Sequence, residues 1–355
     1  MPGSKAAERV RAVLEVAARI VDARDPLGQE ARRSLEATSG LSPEGVELAL
    51  TDHTETAIDG ADMERLLTWA GDAPRCHVVL SSNVCTAAVR AVALAVASAP
   101  DVRIRPSRRD PGLAPLLARE LASHPSFHEN DGTIMQVNAI EARPGDVVHA
   151  YGADATLGDI ERALAGGVLF RGHGTGFGLV FVSPRADLDD AAGAMADDVV
   201  AFDQRGCLSP RIALVAGDPG RGRAFASRLS SALTARAARV PRGPLDAATA
   251  AADASFGRLA DAMGEAFGER DHLVAFFGDL AVPPLPPATR AVSVLSVADA
   301  ASGQRAIAPY RAFLTTIGGD LDDDAARSLA ALGGVRFTRI GQMQRPPLDG
   351  PVDPR

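Results

Sequence analysis

The sequence predicts an α/β protein in which parallel sheets are covered by helices on both faces. From residue 75 onward, short apolar strands alternate with helices, beginning with a strand at 77–82, a helix at 85–99 and a strand at 102–104. A strand, a crossover helix and a second strand form a right-handed unit with parallel strands. The 355 residues are enough for two or three domains.

Helical spacing dominates the residues before the first strand. Val13, Leu14 and Ala17 share one face within the region 5–70, which we interpret as helical. After the second strand, Asp110-Pro111 predicts a helix start, because Asp caps helices and Pro is tolerated at the first helical position. Further predicted elements are the strands 146–150, 168–170 and 179–182 and the helix 156–165.

A second α/β pattern follows Cys207 and suggests a second domain. It is preceded by an amphipathic helix at 186–202, whose apolar residues recur at steps of three and four. The predicted elements that follow are the strand 212–215, the helices 221–239 and 245–267, the strands 272–277, 291–296 and 315–319, the helix 322–332 and the strand 335–340.

Charge and cysteine usage exclude several kinds of function. The net charge of −8 disfavours a nucleic-acid partner, and the single lysine, Lys5, excludes a P-loop and Schiff-base chemistry on a core lysine. Three cysteines without CxxC or HExxH predict no metal site and suit a reducing cytoplasm. Residues 1–10 lack an apolar signal core, and the apolar run 84–99 is too short to span a bilayer. We therefore expect a cytoplasmic protein without an integral membrane segment.

Cys207 is the strongest candidate for a reactive group. It stands beside a glycine on a predicted helix-to-strand turn, where we expect its thiol to be exposed at the carboxyl edge of a sheet. Arg205 and Arg211 would favour the thiolate electrostatically. A buried, inert cysteine is an equally good interpretation of the local sequence, and simple packing is the better one for Cys76 and Cys85.

Polar groups also follow two other predicted strands. Asn83 could donate a hydrogen bond to a developing oxyanion, or merely cap the next helix. The glycine-rich run 172–178 fails the Gly-x-Gly-x-x-Gly pattern and leads into a strand, which argues against a phosphate loop but lets a flat ligand approach the backbone. His173 in this run is a candidate acid or base, or a solvent-facing side chain.

An arginine cluster follows the strand 102–104 and consists of Arg103, Arg105, Arg108 and Arg109. Ligands of open parallel sheets bind at the carboxyl ends of strands, and the planar guanidinium group suits phosphate. In an acidic chain, this local excess of positive charge favours an anion site over a merely solvated basic face.

In their order along the chain, these segments resemble the aldehyde dehydrogenase superfamily and, within it, the long-chain acyl-CoA reductases of bacterial bioluminescence. The resemblance covers residues 75–345. It rests on the segments Ser82–Val84, Arg105–Pro111, Phe170–Gly174, Ala186–Ala191, Leu314–Gly318 and Arg339–Met343 and, most specifically, on Asp203–Pro210. It implies an aldehyde-dehydrogenase-like fold with a Rossmann-type cofactor domain and an α/β catalytic domain.

The resemblance also implies domain limits and residue roles. The N-terminal helical region would be 1–70, the dinucleotide-binding domain 71–202 with 325–355, and the catalytic domain 203–324. The reacting groups would be Cys207 as nucleophile and Asn83 as oxyanion donor. The cofactor contacts would come from Arg105, Ser107, Arg108, Gly172, His173 and Gly174.

Three departures from the family pattern shape the predicted reaction. The lysine that binds the adenosine ribose is replaced by Arg105. The acidic residue of many NAD-dependent relatives is replaced by Arg108, which favours NADPH, with NADH possible, because an arginine pairs with a 2′-phosphate. The Glu-Leu-Gly-Gly segment, whose Glu activates water in oxidising relatives, is absent after the strand 179–182.

The missing glutamate indicates the direction of the reaction. Without a general base, water attacks an acyl-enzyme slowly, whereas the thiolate of a thioester carrier needs less help. We therefore expect NADPH-dependent reduction of an acyl thioester, carried by coenzyme A or a carrier protein, to an aldehyde, in a homo-oligomer. The alternatives are an aldehyde dehydrogenase or acyl-phosphate reductase of the same fold, and a non-catalytic scaffold.

Overall fold

The chain folds into two units in a computed structural model that describes residues 2–320, 323–331 and 334–353. The first unit comprises Met1–Thr175 and Pro347–Pro351, and the second comprises Gly176–Pro346 and Val352–Arg355. Each unit is built around one sheet.

The first unit begins with helices, as the helical spacing predicts. Its elements are α1 (Pro2–Val21), α2 (Pro26–Thr38), α3 (Pro43–His53), α4 (Gly60–Ala70), β1 (Arg75–Val79), α5 (Ala87–Ser98), β2 (Asp101–Arg105), α6 (Ala114–Leu121), α7 (Pro125–Glu129), β3 (Thr133–Gln136), β4 (Val147–Tyr151), α8 (Asp154–Ala163) and β5 (Leu169–His173). α5 is buried on nearly every side, since it packs against β1 of the sheet and against α1. Its Arg90 binds Glu55 and the carbonyls of Pro347 and Gly350.

Among the described residues, the sheet of the first unit has the strand order β3-β2-β1-β4-β5, and every pair is parallel. β2 and β3 lie on one side of β1, and the later strands β4 and β5 lie on the other side. The strand order therefore reverses between β1 and β4, and in open α/β sheets the ligand crevice opens at such a switch point, at the carboxyl ends of the strands.

The second unit repeats the alternation of strands and helices. Its elements are β6 (Phe177–Val182), α9 (Leu188–Val200), a 3₁₀ helix (Ala201–Gln204), β7 (Pro210–Ala216), α10 (Pro219–Ala237), α11 (Ala247–Met263), β8 (Glu265–Glu269), β9 (His272–Phe276), β10 (Ala291–Val297), α12 (Ala300–Ile307), a 3₁₀ helix (Ala308–Phe313), β11 (Leu314–Gly318), α13 (Asp324–Ala331) and β12 (Arg336–Thr338). Within the described ranges, the strand order is β12-β11-β6-β7-β10-β9-β8. Its pairs are parallel except for the antiparallel β8–β9 hairpin.

The division into units differs from the predicted domain limits in two ways. The boundary lies at 175–176 rather than 202–203, because β6 pairs with β7 and β11 and so belongs to the second sheet. The region 1–70 forms no separate domain, because α1 packs directly on α5.

Three predicted helices also need correction or comment. Asp110 does not cap a helix: its Oδ1 accepts hydrogen bonds from Gly112 N and Thr38 Oγ1, and α6 begins later, at Ala114. The predicted helix 245–267 ends at Met263, because Gly264 is its C-cap residue and the next residues form β8, which pairs with β9. The predicted helix 322–332 appears as α13, and its predicted end residues, 322 and 332, lie outside the described residues.

Candidate active site

Cys207 lies on the turn that leads from the 3₁₀ helix 201–204 into β7. The residue is partly exposed, so the interpretation as a buried cysteine is wrong, while Cys76 and Cys85 are buried as expected. The predicted position at a carboxyl edge is also wrong. A residue between a helix and the following parallel strand enters that strand at its start, so Cys207 lies at the amino edge of the sheet.

The backbone is left-handed over three consecutive residues, 202–204, with two residues between this stretch and Cys207. The φ angles are +54° at Phe202, +52° at Asp203 and +65° at Gln204. Side-chain-bearing residues rarely adopt this region, and each such residue costs of order 1 kcal/mol, so the surrounding structure must hold it in place. The turn ends α9 and directs residues 205–209 along the start of β7. We call residues 202–209 the cysteine loop.

Gln204 ties the cysteine loop to two strands. Its Nε2 donates to the carbonyls of Pro210 and Ala291, both at 2.8 Å, and its Oε1 accepts from Ala291 N at 2.9 Å. The side chain is 1% exposed, so these bonds are shielded from water. Gln204 thereby fixes the loop against β7 and the first residue of β10.

Asp203 forms a buried ion pair with Arg290. Its Oδ1 lies 2.6 Å from Arg290 Nη2 and 3.0 Å from Nε, and its Oδ2 accepts from Gly243 N at 3.0 Å. Burial lowers the pKa of Arg290, and the charge of Asp203 opposes that shift. The carboxylate and the guanidinium are therefore neutralised inside the protein, and the left-handed backbone is held at Asp203.

The other side of the loop rests on β11 and the C-terminal segment. Thr315 Oγ1 lies 3.2 Å from the Phe177 carbonyl and also contacts the carbonyl of Cys207. Gln344 Nε2 donates to Ser209 Oγ at 3.2 Å. Met343 fills the space beside Gly178, where an added Cβ would lie 2.5 Å from its Cε.

Asp198 on α9 holds the segment that carries these two residues. It accepts hydrogen bonds from Gly341 N at 2.6 Å and Met343 N at 3.0 Å. Burial raises its pKa to about 7, although these hydrogen bonds oppose the shift. Gln204, Asp203, Arg290, Thr315 and Gln344 were all missed as supporting residues in the sequence. Only Asp203 and Gln204 carried a local signal, being polar residues at the end of an apolar helix stripe.

The two arginines near Cys207 have different surroundings. Arg205 Nε donates to the Phe202 carbonyl at 3.2 Å, and its Nη2 lies 3.9 Å from Asp203. The guanidinium carbon of Arg211 lies 5.8 Å from the centre of the Phe177 ring. That Arg205 and Arg211 favour the thiolate of Cys207 stays a prediction.

In the first unit, Asn83 lies in the turn between β1 and α5, at the switch point of the sheet. Its side chain is exposed. The residue that caps α5 is Thr86, so the interpretation of Asn83 as a helix cap is wrong and its amide remains a candidate hydrogen-bond donor.

The arginine cluster is smaller than the sequence suggests. Arg103 lies inside β2 and pairs with Asp101, at 2.8 Å. Arg105 ends β2 and is partly exposed, and Arg108 and Arg109 in the following turn are exposed. Ser107 Oγ accepts from Arg109 N at 3.2 Å. The guanidinium groups of Arg105, Arg108 and Arg109 make no hydrogen bond or ion pair with the described parts of the chain, and the anion site predicted there stays a prediction.

The glycine-rich run is shorter than predicted, because Gly172 and His173 end β5, and only 174–176 form a turn before β6. His173 is 8% exposed rather than solvent-facing. Its ring stacks on Tyr151 at 4.5 Å and on His149 at 5.9 Å between centroids. Gly174 follows at the carboxyl end of β5.

The switch point of the first unit fits a dinucleotide. Gly152 follows β4, and nothing lies within 4 Å of a Cβ added there. The first turn of α8 has no side-chain cap, because its N-cap residue is Ala153, and it contains the acidic residue Asp154; its N–H groups can donate hydrogen bonds to a phosphate. Arg105 and Arg108 supply positive charge at the carboxyl end of β2, from which β4 is separated by β1. These residues could hold the two ends of a nicotinamide dinucleotide.

His149 is a buried titratable group beside this site. It is 0% exposed, neither ring nitrogen has a hydrogen-bond partner in the described chain, and the rings of Trp69 and His173 lie 5.5 and 5.9 Å away. Burial, aided by the charges of His173 and Arg171, lowers its pKa to about 3.

We expect the first unit to lose stability as the pH falls from about 6.5 to about 3. In this range His149 takes up a proton in the unfolded chain but not in the folded one, so protonation favours unfolding. By about pH 5 the loss from this histidine is about 2 kcal/mol. Fluorescence of Trp69, the single tryptophan, during urea unfolding measures it. His149→Leu should flatten the pH dependence, and His128→Gln, at an exposed histidine, should not. Equal slopes for His149→Leu and the unchanged protein would contradict the prediction.

A cavity of about 270 Å³ opens at the carboxyl edge of the second sheet, lined in part by Ser183, Asp187 and Asp320. Cys207 lies at the opposite edge, so this cavity is separate from the cysteine loop. The described residues hold no group of three or more His, Cys, Asp or Glu that could bind a metal. No helix in the described ranges is long and apolar enough to cross a membrane.

Comparison with known proteins places this architecture. The profile of the acyl-CoA reductase family LuxC matches residues 61–353. No curated protein matches the sequence.

Solved structures with a similar fold include three dehydrogenases. A NAD-dependent benzaldehyde dehydrogenase from Corynebacterium glutamicum has a TM-score of 0.68 and 19% identity, over 95% of this chain and 80% of that one. A glyceraldehyde-3-phosphate dehydrogenase from Methanocaldococcus jannaschii, solved with NADP, has a TM-score of 0.68 and 12% identity, over 95% and 81%. Lactaldehyde dehydrogenase from Escherichia coli has a TM-score of 0.66 and 14% identity, over 95% and 78%. At such identities the similarity establishes the fold, and the predicted aldehyde-dehydrogenase-like fold is confirmed.

Proposed function

This chain belongs to the LuxC family of acyl-CoA reductases, and on that premise we propose that it reduces an acyl thioester to an aldehyde with NADPH, through an acyl group bound to Cys207. The observation that carries the proposal is the cysteine loop. A partly exposed thiol follows three left-handed residues, and that backbone is held by Gln204 and by the Asp203–Arg290 ion pair. Strain that the surroundings maintain is typical of functional sites.

The reaction begins with attack of the Cys207 thiolate on the thioester carbonyl carbon. A new C–S bond forms to the enzyme, the C–S bond to the carrier breaks, and the carrier leaves as a thiolate. The Asn83 amide is the proposed donor to the carbonyl oxygen, which is negatively charged during attack. NADPH, when bound, supplies the hydride that reduces the acyl carbon. The C–S bond to Cys207 then breaks, the aldehyde leaves, and the cysteine returns as a thiolate.

Carboxylates near Cys207 in the sequence are engaged elsewhere, which supports reduction over hydrolysis. Asp203 is bound to Arg290, and Asp198 accepts two backbone N–H groups. The connection from β6 to α9 spans only 183–187, without a glutamate. A general base accelerates water attack by about 10² to 10⁴, and neither aspartate is disposed to supply that help.

Cofactor binding is proposed at the switch point of the first unit. Arg105 and Ser107 would bind the adenosine ribose, and Arg108 the 2′-phosphate of NADPH. Gly172, His173 and Gly174 would lie beside the nicotinamide. The carrier of the acyl group, coenzyme A or a carrier protein, and assembly as a homo-oligomer remain predictions.

Arg108→Glu is expected to raise the Kd for NADPH about tenfold or more and to leave the Kd for NADH unchanged or lower. A charge-assisted hydrogen bond to the 2′-phosphate is lost, and a carboxylate repels that phosphate. Fluorescence titration of both cofactors measures the effect. Arg33→Glu is the matched control, since it makes the same charge change at an exposed arginine on α2, away from this turn. Equal weakening of NADPH and NADH binding by Arg108→Glu would argue against the assigned contact.

The proposed activity is tested by incubating the protein with a long-chain acyl-CoA and NADPH. We expect NADPH oxidation that depends on the acyl-CoA, with aldehyde and free coenzyme A as products in equal amounts. NADPH formation from aldehyde and NADP⁺ without coenzyme A would instead identify an aldehyde dehydrogenase. Turnover of acyl phosphate but not acyl-CoA would identify an acyl-phosphate reductase, and absence of NADPH binding would favour a scaffold.

A further inference from the structure

Two β-bulges flank the first residues of β6. In the β6–β7 pair, Gly178 lies opposite Pro210 and Leu179 opposite Ile212, so Arg211 is the extra residue. In the β6–β11 pair, Phe177 lies opposite Leu314 and Gly178 opposite Thr316, so Thr315 is the extra residue. Bulges often occur beside active sites, where they change the direction of a side chain.

The bulge in the β6–β7 pair explains the direction of the Arg211 side chain. Ile212 packs in the same apolar cluster as Phe177, and in a regular strand the neighbouring residue would point to the opposite face. Arg211 nevertheless lies over the Phe177 ring, at 5.8 Å. The Tyr310 ring packs against the same phenylalanine at 6.0 Å and donates its hydroxyl to the Pro283 carbonyl.

The guanidinium of Arg211 has no partner in this setting. It forms no hydrogen bond or ion pair with any described residue, and its Nε is buried. Burial lowers the pKa of Arg211 to about 10. Arg211 is partly buried, whereas the fully buried Arg290 is neutralised by Asp203. A desolvated positive charge without a counter-charge is unfavourable, and an anionic ligand removes that penalty.

Arg211 is also close to the cysteine loop. Phe177 lies beneath the Arg211 guanidinium. Thr315 Oγ1 contacts the carbonyl of Phe177 and also the carbonyl of Cys207. Thr315, the extra residue of the β6–β11 pair, thus connects the backbone of Cys207 to Phe177, over which Arg211 lies.

We propose that Arg211 binds an anionic oxygen group of the acyl thioester. The inference rests on the proposed function and deepens it, since it names a specificity-determining residue of the same site. Two parts of such a substrate carry this chemistry: a carboxylate at the far end of the acyl chain, and a phosphate of the carrier. Arginine binds either group through paired, charge-assisted hydrogen bonds.

The test compares four thioesters: hexanoyl and adipoyl groups, each on coenzyme A and on N-acetylcysteamine, which has no phosphate. We expect Arg211→Gln to lower kcat/KM about tenfold or more, mainly through KM, for the substrates that carry the bound anion. Adipoyl-specific loss on both carriers identifies the acyl carboxylate, and loss confined to coenzyme A thioesters identifies the carrier phosphate. Arg211→Lys should recover part of the loss, and Arg258→Gln, at an exposed arginine, should change none of the four.

No loss of kcat/KM with any of the four thioesters would overturn the proposal. An equal loss with all four would also overturn it, and would show that Arg211 supports the thiolate or the fold instead. Calorimetric titration of adipate and of coenzyme A provides a readout without turnover. Binding of either ligand that weakens about tenfold in Arg211→Gln supports the anion site even if reductase activity fails, and binding of neither refutes it. Absence of NADPH oxidation with every thioester, beside intact Arg211-dependent binding, would count against the proposed function alone.

Discussion

Replacing Cys207 with alanine is expected to lower acyl-thioester-dependent NADPH oxidation by about a thousandfold or more. The reaction would lose its covalent route, and with it the advantage of a nucleophile held next to the bound carbonyl, which reaches effective molarities of about 10⁵ M or higher. The measurement is NADPH oxidation with saturating acyl-CoA, together with mass spectrometry of the protein after acyl-CoA is added without cofactor. The unchanged enzyme should gain one acyl group.

Cys85→Ala is the matched control, because it removes a thiol from a buried position in the other unit. It should retain activity and acylation. NADPH binding should also survive in Cys207→Ala, which separates loss of chemistry from loss of fold. Full activity in Cys207→Ala, or acylation at another residue, would refute the proposed nucleophile.

Replacing Asp203 with alanine is expected to lower the free energy of unfolding of the second unit by about 3–5 kcal/mol, because it leaves the Arg290 guanidinium buried without a counter-charge. Arg290 is 1% exposed and Asp203 is 6% exposed, so water cannot substitute for the lost partner. The same change releases the left-handed backbone before Cys207. We therefore also expect slower alkylation of Cys207 by iodoacetamide at temperatures where the variant remains folded.

Urea unfolding followed by circular dichroism measures the stability loss, since the single tryptophan lies in the first unit. Arg290→Met, which removes the other charge, should cost a similar amount. The double variant should lose less than the sum of the two single changes, because no buried charge is left unpaired. Asp159→Ala breaks an ion pair whose side chains are 76% and 71% exposed and should have little effect. A small loss in Asp203→Ala, or strict additivity, would contradict this account of the pair.

The family and fold were predictable because they depend on local order along the chain. The alternation of strands and helices after residue 75 fixed parallel sheets, and the segment Asp203–Pro210 indicated the family; the profile match and the solved structures confirm both. The oxidoreductase class follows from the same family. The domain boundary was misplaced because strand pairing, which assigns β6 to the second sheet, is not visible in a local pattern.

The sequence by itself determined the candidates for the reactive chemistry: a cysteine after a short polar turn, and arginines after a strand. The tertiary structure alone decided how they are held. Gln204 meets Ala291, and Asp203 meets Arg290, across 87 residues of chain, and the extra residue that turns Arg211 toward Phe177 exists only as a register shift between strands. Periodicity and motifs record neighbours within a few residues, whereas these contacts form only when distant segments pair, so no local pattern could contain them.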